Sequence, residues 1–313
     1  MNLLISSAAN KIPLLKAAQQ EANKVSPAIQ IVAGDACNQV LSAYVAPAFW
    51  LMPKTKEANL SQLAEGLKQH RIQFILPTRD GELLFWAKHQ AWLQEQGITL
   101  LSSSPQALNT CLDKLQFAQF GQANHLPFIP AVAQINEIQA PRLVVKERFG
   151  AGGQSVGINL NAEQAQDWTT QLKNPIYQPY IEGEEISIDA WQNRQGQVKG
   201  LVLRKRNLII QGEAQVTTTF TDASIEQQAK QVLEALGLNG HSVTQAILDK
   251  NKQLHIIECN PRFGGASTAS IQVGLHSLEW SLREAMGEDI SHSRFIRAKQ
   301  EVRQIRVPTD TYE

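Results

Sequence analysis

The chain has 313 residues, 43% of them hydrophobic and 19% charged, with 29 basic and 29 acidic side chains that cancel. That length calls for two or three domains or lobes, and the composition is that of a folded globular protein, which excludes extended disorder. Balanced charge without Lys and Arg clusters argues against a nucleic-acid footprint or a membrane-surface patch, and no apolar run approaches a membrane span.

In chain order, 2–6 (NLLIS), 29–33 (IQIVA) and 72–76 (IQFIL) are short apolar runs separated by helical stretches such as PLLKAAQQEA and NLSQLAEGLKQH. Such alternation predicts βαβ units and a parallel, Rossmann-like sheet. The turn after the first run, SSAANK, contains no glycine. A dinucleotide fingerprint needs glycines there, so the turn argues against a nicotinamide or flavin cofactor, and Asp35 reads as a turn residue. After the third run, Arg79, Asp80 and Glu82 open a helix at the carboxyl end of a strand, the edge where open α/β sheets bind ligands. The two acids could equally serve the positive end of the helix. The pattern changes near residue 105. Three cysteines, Cys37, Cys111 and Cys259, are odd in number and widely spaced, which suits neither a disulfide framework nor a zinc site. With an N-terminus lacking a basic region and a long apolar core, they point to the cytoplasm.

Further on, the apolar segment 143–147 runs into a loop with Gly150, Gly152 and Gly153, and Lys146 precedes it. Glycine lets backbone N–H groups approach a phosphate, but the loop is no Walker motif, because neither Gly-Lys-Ser/Thr nor a helix follows. YIEG reads as a turn between strands. Arg204 and Arg206 share one parity of a β stretch. SIEQQAKQVLEALGLNG predicts a helix with Ser224 and Gln227 as a capping box, Ile225, Ala229, Val232, Leu233 and Leu236 on its inner face, and Gly237 as terminator. Two strands around DKNK form a hairpin that brings Gln245 close to Glu258.

HIIECNPRFGG, residues 255–265, ends this hairpin. Strand side chains alternate between faces, so Glu258, Asn260 and Arg262 share one face and Cys259 takes the other. Two oxygen ligands beside a permanent cation suit Mg²⁺ with a phosphate. The alternative is a solvated strand end.

The order of these elements resembles the ATP-grasp superfamily, most closely the single-module proteins related to the carbamoyl-phosphate synthase large chain and amino-acid ligases of similar size. The resemblance implies an α/β chain with a Rossmann-like N-terminal domain (1–105) followed by a two-lobed α+β ATP-grasp fold, with a small lobe at 106–182 and a large lobe at 183–313. It implies that Lys114 and Lys146 contact ATP phosphates under the glycine loop with Gly152 and Gly153. Gln178 and Tyr180 would meet the adenine, and Glu185 the ribose. Gln245, Glu258 and Asn260 would hold Mg²⁺, or Mn²⁺ in its place, and Arg262 would lie near the transferred phosphoryl group. Many relatives carry an acid at the positions of Gln178 and Gln245; glutamine at the latter has precedent. Arg204 and Arg206 are candidates for holding the substrate carboxylate or the acylphosphate, the alternative being a charged, exposed strand face. The implied activity is an ATP-dependent carboxylate–amine ligase acting on small molecules, with a homodimer left open. A small-molecule kinase would share the nucleotide residues, whereas a non-catalytic nucleotide sensor would lose the metal ligands.

Overall fold

A computed structural model describes residues 1–150, 155–307 and 310 of the chain. The first sheet contains β1 (Asn2–Ser6), β2 (Gln30–Asp35), β3 (Phe49–Leu51), β4 (Ile72–Pro77) and β5 (Thr99–Leu100), all parallel, in the order β3-β2-β1-β4-β5. Three of these strands follow from the apolar runs; β3 and β5 are too short to carry a pattern. Helices α1 (Ile12–Val25), α2 (Leu41–Val45), α3 (Leu60–Gln69), α4 (Asp80–Lys88) and α5 (Gln90–Glu95) connect them. Leu3 and Ile5 pack towards α1, while Leu4 packs towards α3 and α4. Both faces are covered, which explains runs that are apolar throughout.

Helices α6 (Pro105–Leu112) and α7 (Lys114–Ala123) follow. Next come β6 (Leu143–Glu147), β7 (Gly157–Leu160), α8 (Ala162–Trp168) and β8 (Pro175–Pro179), which give a three-stranded antiparallel sheet in the order β7-β6-β8. Its core contains Leu143, Val145, Ala165 and Tyr177. The third sheet is built from β9 (Glu184–Gln192), β10 (Val198–Ile210), β11 (Glu213–Phe220), β12 (Gly240–Leu248), β13 (Leu254–Asn260) and β14 (Arg303–Ile305), in the order β13-β12-β9-β10-β11-β14. Helix α9 (Ala223–Leu236) lies on one face, burying Ile225, Ala229, Val232, Leu233 and Leu236 as the sequence pattern predicts. Gly237 ends it in the left-handed region at φ 59°. The cap differs from the expected Ser224: the Asp222 carboxylate accepts from the Ser224 and Ile225 amides, so the helix starts one residue before Ser224. Helices α10 (Thr268–Gln272) and α11 (Ser277–Ala285) complete the set. Leu278 and Leu282 of α11 share a core with α1, and Lys24 and His276 meet at the buried Glu21 (2.7 and 3.1 Å).

Residues 106–128, expected in the small lobe, pack elsewhere. Ala107, Cys111, Phe117 and Phe128 join the core of the six-stranded sheet. Phe117 stacks on Phe128 with centroids 4.4 Å apart, and Gly121 permits this: a Cβ there would lie 2.2 Å from the Phe128 ring. The segment that carries Lys114 is thereby anchored to the sheet that carries Glu258.

Candidate active site

Pairing of β12 with β13 sets Gln245 directly across from Glu258 and Val243 across from Asn260. Cys259, on the other face, is 2% exposed within the core. Asn260 Nδ2 donates to Glu258 Oε1 at 3.2 Å. Gln245, Glu258 and Asn260 therefore come together as one carboxylate and two amides on a half-buried face. Among the described residues no cation lies within 4 Å of Glu258. A hard divalent cation with oxygen ligands fits this donor set.

Lys146, on β6, projects towards the same place. Its side chain is 6% exposed and makes no hydrogen bond or ion pair among the described residues. Burial pushes its ammonium down to about 8 and Lys114 lowers it further, while Glu258 and Glu185 oppose the drop. Lys114 is the first residue of α7. Asp113 caps that helix by accepting from the Leu115 and Gln116 amides (3.0 and 3.2 Å), and Arg148, just past β6, forks onto Asp113 at 2.7 and 2.5 Å. Burial would raise the Asp113 carboxyl, but the fork and the two amides hold it below the usual carboxylate range. This tie brings the start of α7 to the end of β6, and Lys114 Nζ donates to Gly150 O at 2.5 Å. Gly150 has φ 105°, open to glycine alone. Gly152 and Gly153 lie outside the described residues.

Arg262 is gripped from the first domain. Its Nε and Nη2 donate to both oxygens of Asp80, at the start of α4, at 2.6 and 2.9 Å. Nη1 reaches Phe263 O, and Nη2 approaches Asn260 Oδ1 at 3.4 Å. Asp80 thus pairs across the domain boundary rather than serving only its own helix end; Glu82 serves that end by accepting from the Thr78 and Arg79 amides (3.0 and 3.2 Å). Behind Arg262, Phe263 stacks on His241 at 4.0 Å and 4°. Burial drives His241 down to about 4, so it is neutral between Ser277 and Ser267.

Two expected substrate ligands are placed otherwise. Arg204 is 2% exposed, and its fork is taken by Asp189 (3.0 and 2.7 Å), with Thr217 on Nη1. Ser270 donates to the same carboxylate. Removing this guanidinium from its partner would leave a buried charge. Arg206 is bound to Glu185, the expected ribose ligand, and to Gly212 O at 2.7 Å. Gln178 is buried, and its Nε2 donates to Ile129 O at 3.1 Å, which staples the connecting segment to β8. Half-buried Tyr180 follows β8, with its amide donating to Arg142 O.

Residues 111–266 match the ATP-grasp domain family, and residues 3–101 match the PylC-like N-terminal domain family. The chain belongs to the ATP-grasp superfamily. Among solved structures, this ATP-grasp chain is similar to the biotin carboxylase of Campylobacter jejuni in its β,γ-ATP complex (TM-score 0.74, 17% identity, 96% of this chain and 74% of that one). It is also similar to the L-amino acid ligase of Bacillus licheniformis (0.71, 18%, 91% and 74%). A third is the N5-carboxyaminoimidazole synthetase of Staphylococcus aureus with ADP (0.72, 18%, 92% and 78%). At these identities the likeness concerns the fold. No curated protein matches the ATP-grasp chain in sequence.

Proposed function

We propose that the protein is an ATP-dependent ligase that activates a small carboxylate as an acylphosphate and joins it to an amine. The observation that carries this reading is the approach of two ammonium groups, Lys114 and the buried Lys146, which has no partner among the described residues, to a face bearing Glu258, Gln245 and Asn260. Like charges held together at a buried site are offset by an anion, and a polyphosphate supplies one. Two of the structural neighbours were solved with adenine nucleotides, which agrees with this.

In this reading Glu258, Asn260 and Gln245 hold Mg²⁺ or Mn²⁺, which neutralises phosphate charge. Lys146 and Lys114 neutralise further phosphate oxygens. Arg262, oriented by Asp80, faces the transferred phosphoryl group. A substrate carboxylate oxygen attacks the γ-phosphorus and ADP leaves; the amine then attacks the acyl carbon, loses a proton, and phosphate departs. Positioning and charge neutralisation do most of this work. Glu185 with Arg206 forms the ribose side, and Gln178 and Tyr180 flank the adenine. A cytoplasmic, small-molecule enzyme with units at 1–105, 106–182 and 183–313 completes the reading, with residues 106–128 assigned by their packing to the large lobe.

The test is a thermal-shift titration with Mg-ATP, followed by a screen of amino acids, singly and in pairs, for ATP-dependent phosphate release with mass spectrometry of the products. Stabilisation by Mg-ATP follows from binding to the native state alone. A chain stabilised by NAD(P)H and indifferent to Mg-ATP would overturn the reading, and phosphorylated product without ligation would make the protein a kinase.

A further inference from the structure

The first sheet changes direction between β1 and β4, since β2 and β3 lie to one side of β1 and β4 and β5 to the other. At the carboxyl ends of those two strands an open α/β sheet has a crevice that binds ligands. Here hydrogen bonds tie the two strand ends together. Lys11 closes its floor: Nζ donates to Ser7 O, Thr78 O and Thr78 Oγ1 at 2.8, 2.8 and 2.7 Å, joining the two strand ends. Ser7 and Ala9, in the turn after β1, have φ of 53° and 27° without being glycine. Such conformations carry strain and persist where the surroundings impose them, which is commonly at ligand sites.

The acids of the crevice are already engaged. Asp35 accepts from the Ala9 and Cys37 amides (3.0 and 3.1 Å), Asp80 is forked by Arg262, and Glu82 accepts from the Thr78 and Arg79 amides. Arg79 is different. It is exposed, its Nε donates to Ser7 Oγ at 3.2 Å, and among the described residues no carboxylate lies within 4 Å of its guanidinium. Gly81 leaves the room its Nη1 occupies, since a Cβ there would lie 2.8 Å away. Arg79 also adjoins Asp80 in sequence, so it stands beside the residue that holds Arg262 against the metal-ligand face.

We infer that Arg79 holds a second carboxylate on the acid that the enzyme activates, so that the substrate is a small dicarboxylic acid lying between Arg79 and Arg262. A planar fork suits a carboxylate in two-point contact. One carboxylate faces Glu258 and Arg262, where phosphoryl transfer takes place, and the other rests on Arg79 at the switch point. This inference rests on the proposed ligase function and specifies its substrate class.

The test is thermal shift and calorimetry on the full chain with saturating MgADP, titrated with the α,ω-dicarboxylates from malonate to adipate and with their uncharged diamides, for wild type and Arg79→Gln. At least one dicarboxylate should stabilise the wild type while its diamide does not. Arg79→Gln should bind that dicarboxylate about 10- to 100-fold more weakly, the scale of a lost charge-assisted hydrogen bond, and keep the full response to MgADP. Arg79→Lys should recover only part of the affinity. A wild type indifferent to every dicarboxylate, or an undiminished response in Arg79→Gln, overturns the inference. Loss of the MgADP response in the wild type would instead sink the nucleotide reading, so the two failures are distinct.

Discussion

Lys146→Met should stabilise the protein without nucleotide and abolish nucleotide binding. Methionine fills a similar volume with an apolar chain, so the substitution removes a buried cation and little packing. The drop of the ammonium from 10.5 to about 8, caused first by burial, corresponds at 1.36 kcal/mol per pH unit to roughly 3 kcal/mol held against the fold while Lys146 stays charged. The sign follows from linkage. Between pH 8 and 10.5 the unfolded chain keeps the proton that the native protein loses, so wild-type stability rises with pH through that window. Below pH 8 both states are protonated and the penalty is constant. Lys146→Met should therefore unfold a few degrees higher than wild type at pH 7, and the advantage should vanish near pH 10.5. Differential scanning calorimetry across pH 7 to 10.5 reads the stability, and titration calorimetry with MgADP reads the binding. Wild-type affinity for MgADP should itself fall above about pH 8, because the phosphates need the protonated lysine. A Lys146→Met protein that is less stable at pH 7 and still binds MgADP normally would refute this account and make Lys146 a structural cation.

Glu258→Gln keeps shape and loses charge, so melting should change little while ADP release falls at least about 10²-fold; Cys259→Ala, on the core face, should lose modest stability with an unchanged Mg²⁺ requirement. Near wild-type turnover in Glu258→Gln would return the strand end to a solvated edge. Arg204→Leu should cost about 3–5 kcal/mol in denaturant unfolding by stranding Asp189, and Arg204→Leu/Asp189→Leu should recover much of it; a stable Arg204→Leu with impaired turnover would restore its substrate role.

What the sequence determined by itself is what local geometry enforces. The two-residue period of a strand put Glu258 and Asn260 on one face and Cys259 in the core, and the hairpin brought Gln245 opposite Glu258; Arg262 lies past the end of β13. The helical period selected the buried stripe of α9, and Gly237 marked its end. Asp35, expected in a turn, is instead the last residue of β2, and its carboxylate accepts from the Ala9 and Cys37 amides of the adjoining turns. Charged side chains behave differently, because their partners are chosen by proximity in space. Arg262 meets Asp80 across 182 residues, and Arg204 and Arg206, alike in parity, were claimed by Asp189 and Glu185 from the neighbouring strand. Parity tells which face a side chain takes, not what covers that face. The same reason moved α6 and α7 to the large-lobe core: a helix declares its apolar stripe in sequence, but the sheet that receives the stripe is settled only when Phe117 and Phe128 find α9 and β13.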